Sequence, residues 1–216
     1  MGRYDYEYVW DIRYCYPKSN VLKNKLDIKD SAVLEEAERR ITALNILEIL
    51  ENPVKGCLDF KHLCDIHKQI FRDIFEWAGQ PQVVNISKGN LFCNCQYIDS
   101  YAGELFQKLK GETYLIQTAP NELPGRLAYY LSEINVLHPF REGNGRAQRV
   151  FIEYLAGSIG WHVDFSDITD KEMIEASASA FALEYKPMVD MFRRILSPIT
   201  RKEMQSFRKK LGLKTD

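Results

Sequence analysis

Residues 138–149 read HPFREGNGRAQR, and this stretch lies between two predicted helices. Apolar residues before it recur at helical spacing and predict a buried helix over about 121–137. Pro139 disfavours helical geometry at His138, so this helix should end there. Gly143 and Gly145 flank Asn144 and let the backbone approach a ligand with no Cβ in the way. The stretch is therefore predicted to be a ligand-facing loop that leads into a second helix, over about 144–159.

The start of the second helix is predicted to bind an anion. The first N–H groups of a helix lack partners within it, and the helix dipole favours negative charge at that end. Arg146 and Arg149 are three residues apart and should share one face of the helix. Two guanidinium groups suit a polyphosphate. Gly143, Asn144, Gly145 and the two arginines are thus predicted to form a polyphosphate site.

His138 and Glu142 add chemistry to this anion site. A histidine titrates close enough to neutrality to act as a general base. A carboxylate just before the glycines suits Mg²⁺ that bridges phosphate oxygens. An isolated histidine is more often a packing residue, but here the full set is typical of phosphoryl or nucleotidyl transfer, in which positioning and charge stabilisation dominate.

Elsewhere the pattern predicts a mostly α fold with one β-hairpin. Further helices are expected at about 31–50, 60–75 and 99–112, with two more between 170 and 196. The predicted hairpin has strands at 82–87 and 91–95 around a turn at 88–90. We expect an extended N-terminal arm at 1–30, a main domain at 31–196 and a basic C-terminal tail at 197–216.

Composition excludes several classes of protein. The chain has 216 residues and a net charge of -1, which suits one soluble domain and gives no field that attracts nucleic acid. Its apolar runs are too short to span a membrane, and no secretory signal is visible. Five cysteines argue against a disulfide framework, and Cys93 and Cys95 lack a second pair that would complete a zinc site. We therefore expect a cytoplasmic protein without a membrane or nucleic-acid partner.

The stretch 138–149 resembles the Fic-domain motif, His-x-Phe-x-(Asp/Glu)-Gly-Asn-Gly-Arg-x-x-Arg, at every specified position. Residues 66–79 are similar to the family's helix before its flap, and Tyr16-Pro17 with 21–26 is similar to its N-terminal arm. The resemblance covers about residues 14–196. It implies a compact Fic-type helical bundle, with the β-hairpin as a flap over the active site.

The resemblance implies transfer of AMP from ATP to a Ser, Thr or Tyr hydroxyl of a target protein, possibly of the chain itself. His138 would deprotonate the hydroxyl, whose oxygen attacks the α-phosphate, and pyrophosphate would leave. Glu142 would bind Mg²⁺, and Phe140 would be a buried anchor. The implied nucleotide-binding residues are Gly143, Asn144, Gly145, Arg146, Arg149, Lys88 and Gly89.

The flap would dock the target. An exposed strand edge binds an extended segment through its backbone and demands little of its sequence. The docking residues implied are Asn85, Ile86, Ser87 and Phe92, although Phe92 could instead be the flap's contact with the core. His67 lies in an apolar helix and is interpreted as a core histidine rather than a second base.

Three other functions are weighed at this stage. The related Doc proteins are kinases whose motif has Ala and Lys in place of Gly143 and Gly145; a lysine there would block the β/γ subpocket, so Gly145 favours AMP transfer. Transfer of another nucleotide is an alternative, because the base pocket cannot be located, and Tyr185 is only a guess for it. A non-catalytic module that binds a strand is disfavoured, because the base and both arginines are present.

Regulation has two readings. Many Fic proteins carry an inhibitory helix with (Ser/Thr)-x-x-x-Glu-(Gly/Asn), and the nearest candidate here is Ser31 with Glu35, which departs from the motif at Glu36. The plainer interpretation makes Ser31 a helix N-cap. In that case either internal inhibition is weak, or a separate antitoxin-like protein supplies the inhibitory helix.

Overall fold

The computed structural model describes residues 11–86 and 92–214, and it confirms the mostly α fold. Eight α-helices are formed in these ranges: α1 Ser31–Glu51, α2 Phe60–Phe71, α3 Ile98–Gly111, α4 Leu123–Leu137, α5 Asn144–Ser158, α6 Asp170–Phe181, α7 Lys186–Ile195 and α8 Arg201–Leu211. Two short strands, β1 Trp161–Val163 and β2 Leu196–Pro198, pair antiparallel. None of the described helices is long and apolar enough to cross a membrane.

Helix α5 forms the centre of the core. It packs against α2, α4, α8 and β1, and Phe151, Tyr154 and Leu155 are completely buried. On its outer side the ring of Phe207 from α8 covers Gly157, where a Cβ would lie 2.8 Å from the ring. The predicted basic tail at 197–216 thus includes a helix that is part of the packed body. The domain boundaries themselves stay predictions.

Helix α1 buries a different face from the one that its apolar residues suggest. The helical spacing of Ile41, Leu44 and Leu47 in the sequence predicts that they face the core. Leu44 and Leu47 are instead 67% and 59% exposed. The buried face instead carries Glu38, Thr42 and Asn45. Burying such side chains is costly unless they form hydrogen bonds, so this face must contact polar partners.

The strands predicted at 82–87 and 91–95 are the main local error. In the described parts, residues 82–86 and 92–94 are irregular and 95–97 form a 3₁₀ turn. Their backbone groups bond elsewhere: Gln82 N donates to Pro139 O at 2.7 Å, and Cys93 N donates to Val136 O at 3.0 Å. Because both flanks of the flap are tied to the end of α4 and the loop after it, these groups are not available for a hairpin ladder.

Candidate active site

His138 is the left-handed C-cap of α4, with φ 43°, and is 3% exposed. A non-glycine residue in this region is strained, and such strain concentrates at functional sites. Its Nδ1 lies 3.3 Å from the carbonyl oxygen of Asn135. An acceptor at Nδ1 favours the tautomer with the proton there, which leaves the lone pair of the neutral ring on Nε2. Nε2 is therefore the nitrogen suited to take up a proton.

The loop after His138 is fixed by the side chain of Asn144. Its Oδ1 accepts a hydrogen bond from Phe140 N at 2.9 Å, and its Nδ2 donates one to Phe140 O at 2.6 Å. Phe140 is buried and stacks on His67 with ring centroids 3.8 Å apart. The Asn144 amide thus holds the loop, while the anion-binding capacity lies in the backbone that follows.

Helix α5 opens directly after Gly143, which has φ +82°. A Cβ on Gly143 would lie 2.1 Å from the Phe71 ring, so only glycine fits. No side chain among the described residues caps the helix. Its first N–H groups can therefore bind an anion, as the sequence predicts.

His138 and Arg149 lie in the wall of one cavity of about 280 Å³. The wall also contains the start of α5 and one face of α6. The lining residues are Phe92, Asn135, His138, Gly145, Gln148, Arg149, Asp170, Met173, Ile174, Ser177, Ala178 and Phe181. Sequence reasoning missed Gln148, Asn135 and the α6 residues; the spacing of Gly145, Gln148 and Arg149 on one helix face was the only signal for Gln148.

Arg149 has no hydrogen bond or ion pair with any residue at 11–86 or 92–214, although Asp170 and Glu153 act on it electrostatically. Burial, followed by the nearby charge of Arg146, lowers the pKa of its guanidinium. A partly buried cation without a bonded counterion in the described ranges is costly, and an anionic ligand would compensate it. Arg149 therefore fits its predicted role as a phosphate ligand.

Arg146 is not among the lining residues of the cavity. Its Nη2 donates to Glu38 Oε1 at 2.5 Å and its Nη1 to Thr42 Oγ1 at 2.9 Å. The guanidinium lies 4.6 Å from the centre of the Phe71 ring. The two motif arginines thus have different surroundings: Arg149 lies in the cavity wall, and Arg146 is held against α1.

Glu142 precedes the anion cradle, which is formed by the first N–H groups of α5. Like Arg146, it is not among the residues that line the cavity. Its Oε1 accepts a hydrogen bond from Gly143 N at 2.9 Å and lies 3.6 Å from Arg146 Nη2. No described residue donates a hydrogen bond to Oε2. No group of three or more His, Cys, Asp or Glu side chains within the described ranges could hold a metal by itself. One carboxylate with an open oxygen beside an anion cradle does fit Mg²⁺ shared with phosphates.

His67 is completely buried. Gly79 N donates to its Nδ1 at 2.8 Å, so its Nε2 carries the proton and donates to Glu142 O at 2.9 Å. Burial lowers the pKa of His67 to about 3. It is thus a neutral core residue that links the segment before the flap to the motif loop.

The described flap residues have different surroundings. Phe92 stacks on His138 and meets Phe181 edge to face, so it covers the cavity. Ile86 is buried, and Asn85 accepts a hydrogen bond from Cys95 N at 2.9 Å. Ser87, Lys88 and Gly89 lie outside the described residues.

Three other sequence-level suggestions can be placed. Asp30, not Ser31, is the N-cap of α1, because its side chain accepts from Val33 N. Ser31 and Glu35 are both exposed, and Glu35 has no ion pair with a described arginine. Tyr185 is not in the cavity wall; its hydroxyl donates to Glu133 at 3.2 Å.

The comparisons with known proteins agree with this geometry. The Fic/DOC family model matches residues 57–156. The chain is 38% identical over 188 residues to the protein adenylyltransferase VbhT of Bartonella schoenbuchensis, which covers 87% of this chain but only 39% of VbhT. It is 39% identical over 186 residues to the "Probable protein adenylyltransferase Fic" of Salmonella typhimurium, covering 85% of this chain and 92% of that protein.

A solved structure shows the same fold. The crystal structure of the BepC protein of Bartonella tribocorum, with AMPPNP bound, superposes with a TM-score of 0.82 at 28% identity, covering 87% of this chain and 98% of that one. The identity and coverage of the Salmonella relative, together with the family match around the motif, show that this chain belongs to the Fic/DOC family.

Proposed function

We propose that this chain transfers AMP from ATP to a hydroxyl side chain of a protein. The observation that carries the proposal is one cavity whose wall contains the His138 ring, the start of α5 at Gly145 and Arg149, which forms no ion pair within 11–86 or 92–214. A base, an anion cradle and a cation are then within reach of one nucleotide. The names of the relatives, protein adenylyltransferases, support the same activity.

Each residue of the site has its own role in the transfer of AMP. His138 Nε2 accepts the proton of the target hydroxyl, and the hydroxyl oxygen forms a bond to the α-phosphorus. The bond from the α-phosphorus to its bridging oxygen breaks, and pyrophosphate leaves. The first N–H groups of α5 and Arg149 stabilise the phosphate charge. Glu142 would hold Mg²⁺, which would supply further neutralisation of the phosphate charge.

Gly145 favours AMP transfer over phosphate transfer. A Cβ at this position would lie 3.5 Å from Arg149 Nη1. A longer side chain such as lysine would compete with the Arg149 guanidinium for the same space. With glycine, the Arg149 guanidinium keeps this space in the cavity wall, where it would bind the terminal phosphates while the α-phosphate meets His138.

Target docking and inhibition belong to the same proposal. The target's extended segment pairs with the flap, and Phe92 lies where it would meet the incoming hydroxyl. Inhibition, where present, comes from an antitoxin-like partner whose carboxylate pairs with Arg149, since Glu35 is exposed and forms no ion pair with a described arginine. Glu35→Gly should then leave the activity of the isolated protein unchanged. The five free thiols are consistent with a cytoplasmic site of action.

Labelled ATP tests the activity. Purified protein, Mg²⁺ and a cell lysate are incubated with ATP labelled at the α- or the γ-phosphate, beside the His138→Ala variant. AMP transfer predicts label in protein from α-labelled ATP only, and none with the variant. Label from γ-labelled ATP would make the chain a kinase and contradict the proposal.

A further inference from the structure

Helix α1 has a strip of buried polar side chains where the side chain of Arg146 extends from α5 toward it. Glu38, Thr42 and Asn45 are 5%, 2% and 7% exposed and lie about one helical turn apart. Asn45 Nδ2 donates to the carbonyl oxygen of Ile70 at 3.0 Å and ties α1 to the end of α2. Glu38 and Thr42 are directed at Arg146 instead. Two of the three polar residues buried on α1 therefore serve one arginine of the motif.

The geometry around Arg146 is specific. Thr42 Oγ1 donates its proton to Glu38 O at 2.8 Å, so its lone pair faces the guanidinium. Glu38 Oε1 lies 2.5 Å from Arg146 Nη2, whereas Glu142 Oε1 lies farther from the same nitrogen, at 3.6 Å. Arg146 is thus shared between two carboxylates and lies closer to the one on α1.

We propose that Glu38 and Thr42 are positioning residues of the nucleotide site: by holding Arg146 against α1, they weaken its ion pair with Glu142 and leave that carboxylate available to a divalent cation. This inference rests on the proposed function, in which Glu142 is the Mg²⁺ ligand. Glu142 and Arg146 are four residues apart across the start of α5, a spacing at which opposite charges pair. Without Glu38, Arg146 would close on Glu142 and compete with the cation.

Four variants test the inference. Glu38→Gln removes the charge that holds Arg146, and Thr42→Val removes the second acceptor. Thr42→Ser keeps the hydroxyl. Glu51→Gln makes the same chemical change as Glu38→Gln at an exposed position on the same helix. Circular dichroism establishes whether each variant is folded. If Glu38→Gln does not fold, Thr42→Val still tests the inference.

Two readouts are compared. The first is Mn²⁺ binding to the protein–ATP complex, followed by electron paramagnetic resonance, which requires no transfer. The second is the Mg²⁺ concentration for half-maximal AMP transfer, with kcat at saturating Mg²⁺. Loss of a residue that orients a metal ligand typically weakens metal affinity about 10–100-fold. We expect Glu38→Gln to weaken Mn²⁺ binding by about tenfold, with kcat at saturating Mg²⁺ changed far less, and Thr42→Val to act in the same direction.

The possible failures are distinguishable. If Glu38→Gln and Thr42→Val bind Mn²⁺ as tightly as Glu51→Gln, the inference is wrong although the proposed function stands. If Glu38→Gln is more active at every Mg²⁺ concentration, Glu38 is inhibitory and the inference is overturned. If the unmodified protein transfers no AMP, the proposed function fails, while Mn²⁺ binding still decides whether Glu38 controls the cation site.

Discussion

The ring of Phe92 lies flat on the ring of His138, with centroids 3.7 Å apart and planes within 12° of parallel. The contact joins the flap to the residue proposed as the base. Since His138 is the strained C-cap that follows α4, the stack helps to hold its ring in one orientation. The flap therefore contributes a residue to the site, beside its proposed part in target docking.

Phe92→Ala should lower kcat for AMP transfer by roughly tenfold or more, because small misplacements of a catalytic group are costly. The KM for ATP should change less, since Arg149 and the α5 cradle are untouched. Steady-state kinetics with a fixed target checks this. Val83→Ala, at an exposed position on the other flank of the flap, is the control. A Phe92→Ala protein with unchanged kcat would show that the stack has no part in catalysis.

Gly143→Ala should destabilise the fold. The new Cβ would need both a left-handed backbone and space that the buried Phe71 ring occupies. We expect a loss of about 1–3 kcal/mol in the free energy of unfolding, measured by urea denaturation. Gly103→Ala is the matched control: it lies within α3 with nothing near its Cβ position, and the same change in an exposed helix stabilises by up to about 1 kcal/mol. Equal effects of the two changes would refute the close-packing argument.

His67 should make the fold sensitive to acid. Its pKa is about 3 in the folded protein, against 6.5 for an unperturbed histidine. As the pH falls below 6.5 the unfolded chain takes up a proton that the folded chain refuses, so stability is lost toward pH 3. The slope attributable to His67 is at most about 1.4 kcal/mol per pH unit. The free energy of unfolding of His67→Asn should fall less steeply with pH than that of the unmodified protein, measured by denaturation from pH 6.5 to 4. Identical slopes would contradict the burial argument.

Glu153 should give ATP binding a pH dependence near neutrality. Burial raises its pKa to about 7, against the opposing charge of Arg149 one turn away. Above that pH the carboxylate is ionised and repels phosphates at Arg149, so the Kd for ATP should rise between pH 6 and 8. Glu153→Gln removes the ionisation, and calorimetry at several pH values should show a flatter profile. A profile with the same slope as the unmodified protein would assign the pH dependence to another group.

Much of the fold follows from local patterns, but its polar interior does not. The helices of the core begin and end close to their predicted bounds, because apolar spacing, Pro139 and Gly143 act locally. The orientation of α1 could not be read this way, since the partner of Glu38 is Arg146, more than a hundred residues later. The failure of the two flap flanks to pair as strands in the described residues has a similar cause. Gln82 bonds to the loop after α4 and Cys93 to the end of α4, contacts that no strand pattern reveals.

The site likewise has features that the local sequence predicts and features that depend on distant packing. The motif predicted His138, Glu142 and Arg149 as site residues, because their residue types and spacing define the chemistry. It could not separate Arg146 from Arg149, since both fall on adjacent parts of one helix face and only the packing of α1 distinguishes them. The α6 wall of the cavity had no signal in the sequence, as its apolar residues are typical of any core helix.

The mass of a modified target peptide tests the central claim most directly. The target is treated with ATP, Mg²⁺ and either the unmodified protein or His138→Ala, and tandem mass spectrometry locates the adduct. The account predicts an adenosine monophosphate adduct on a Ser, Thr or Tyr hydroxyl, absent with His138→Ala. A phosphate adduct, or an adenosine monophosphate adduct that persists without His138, would contradict it.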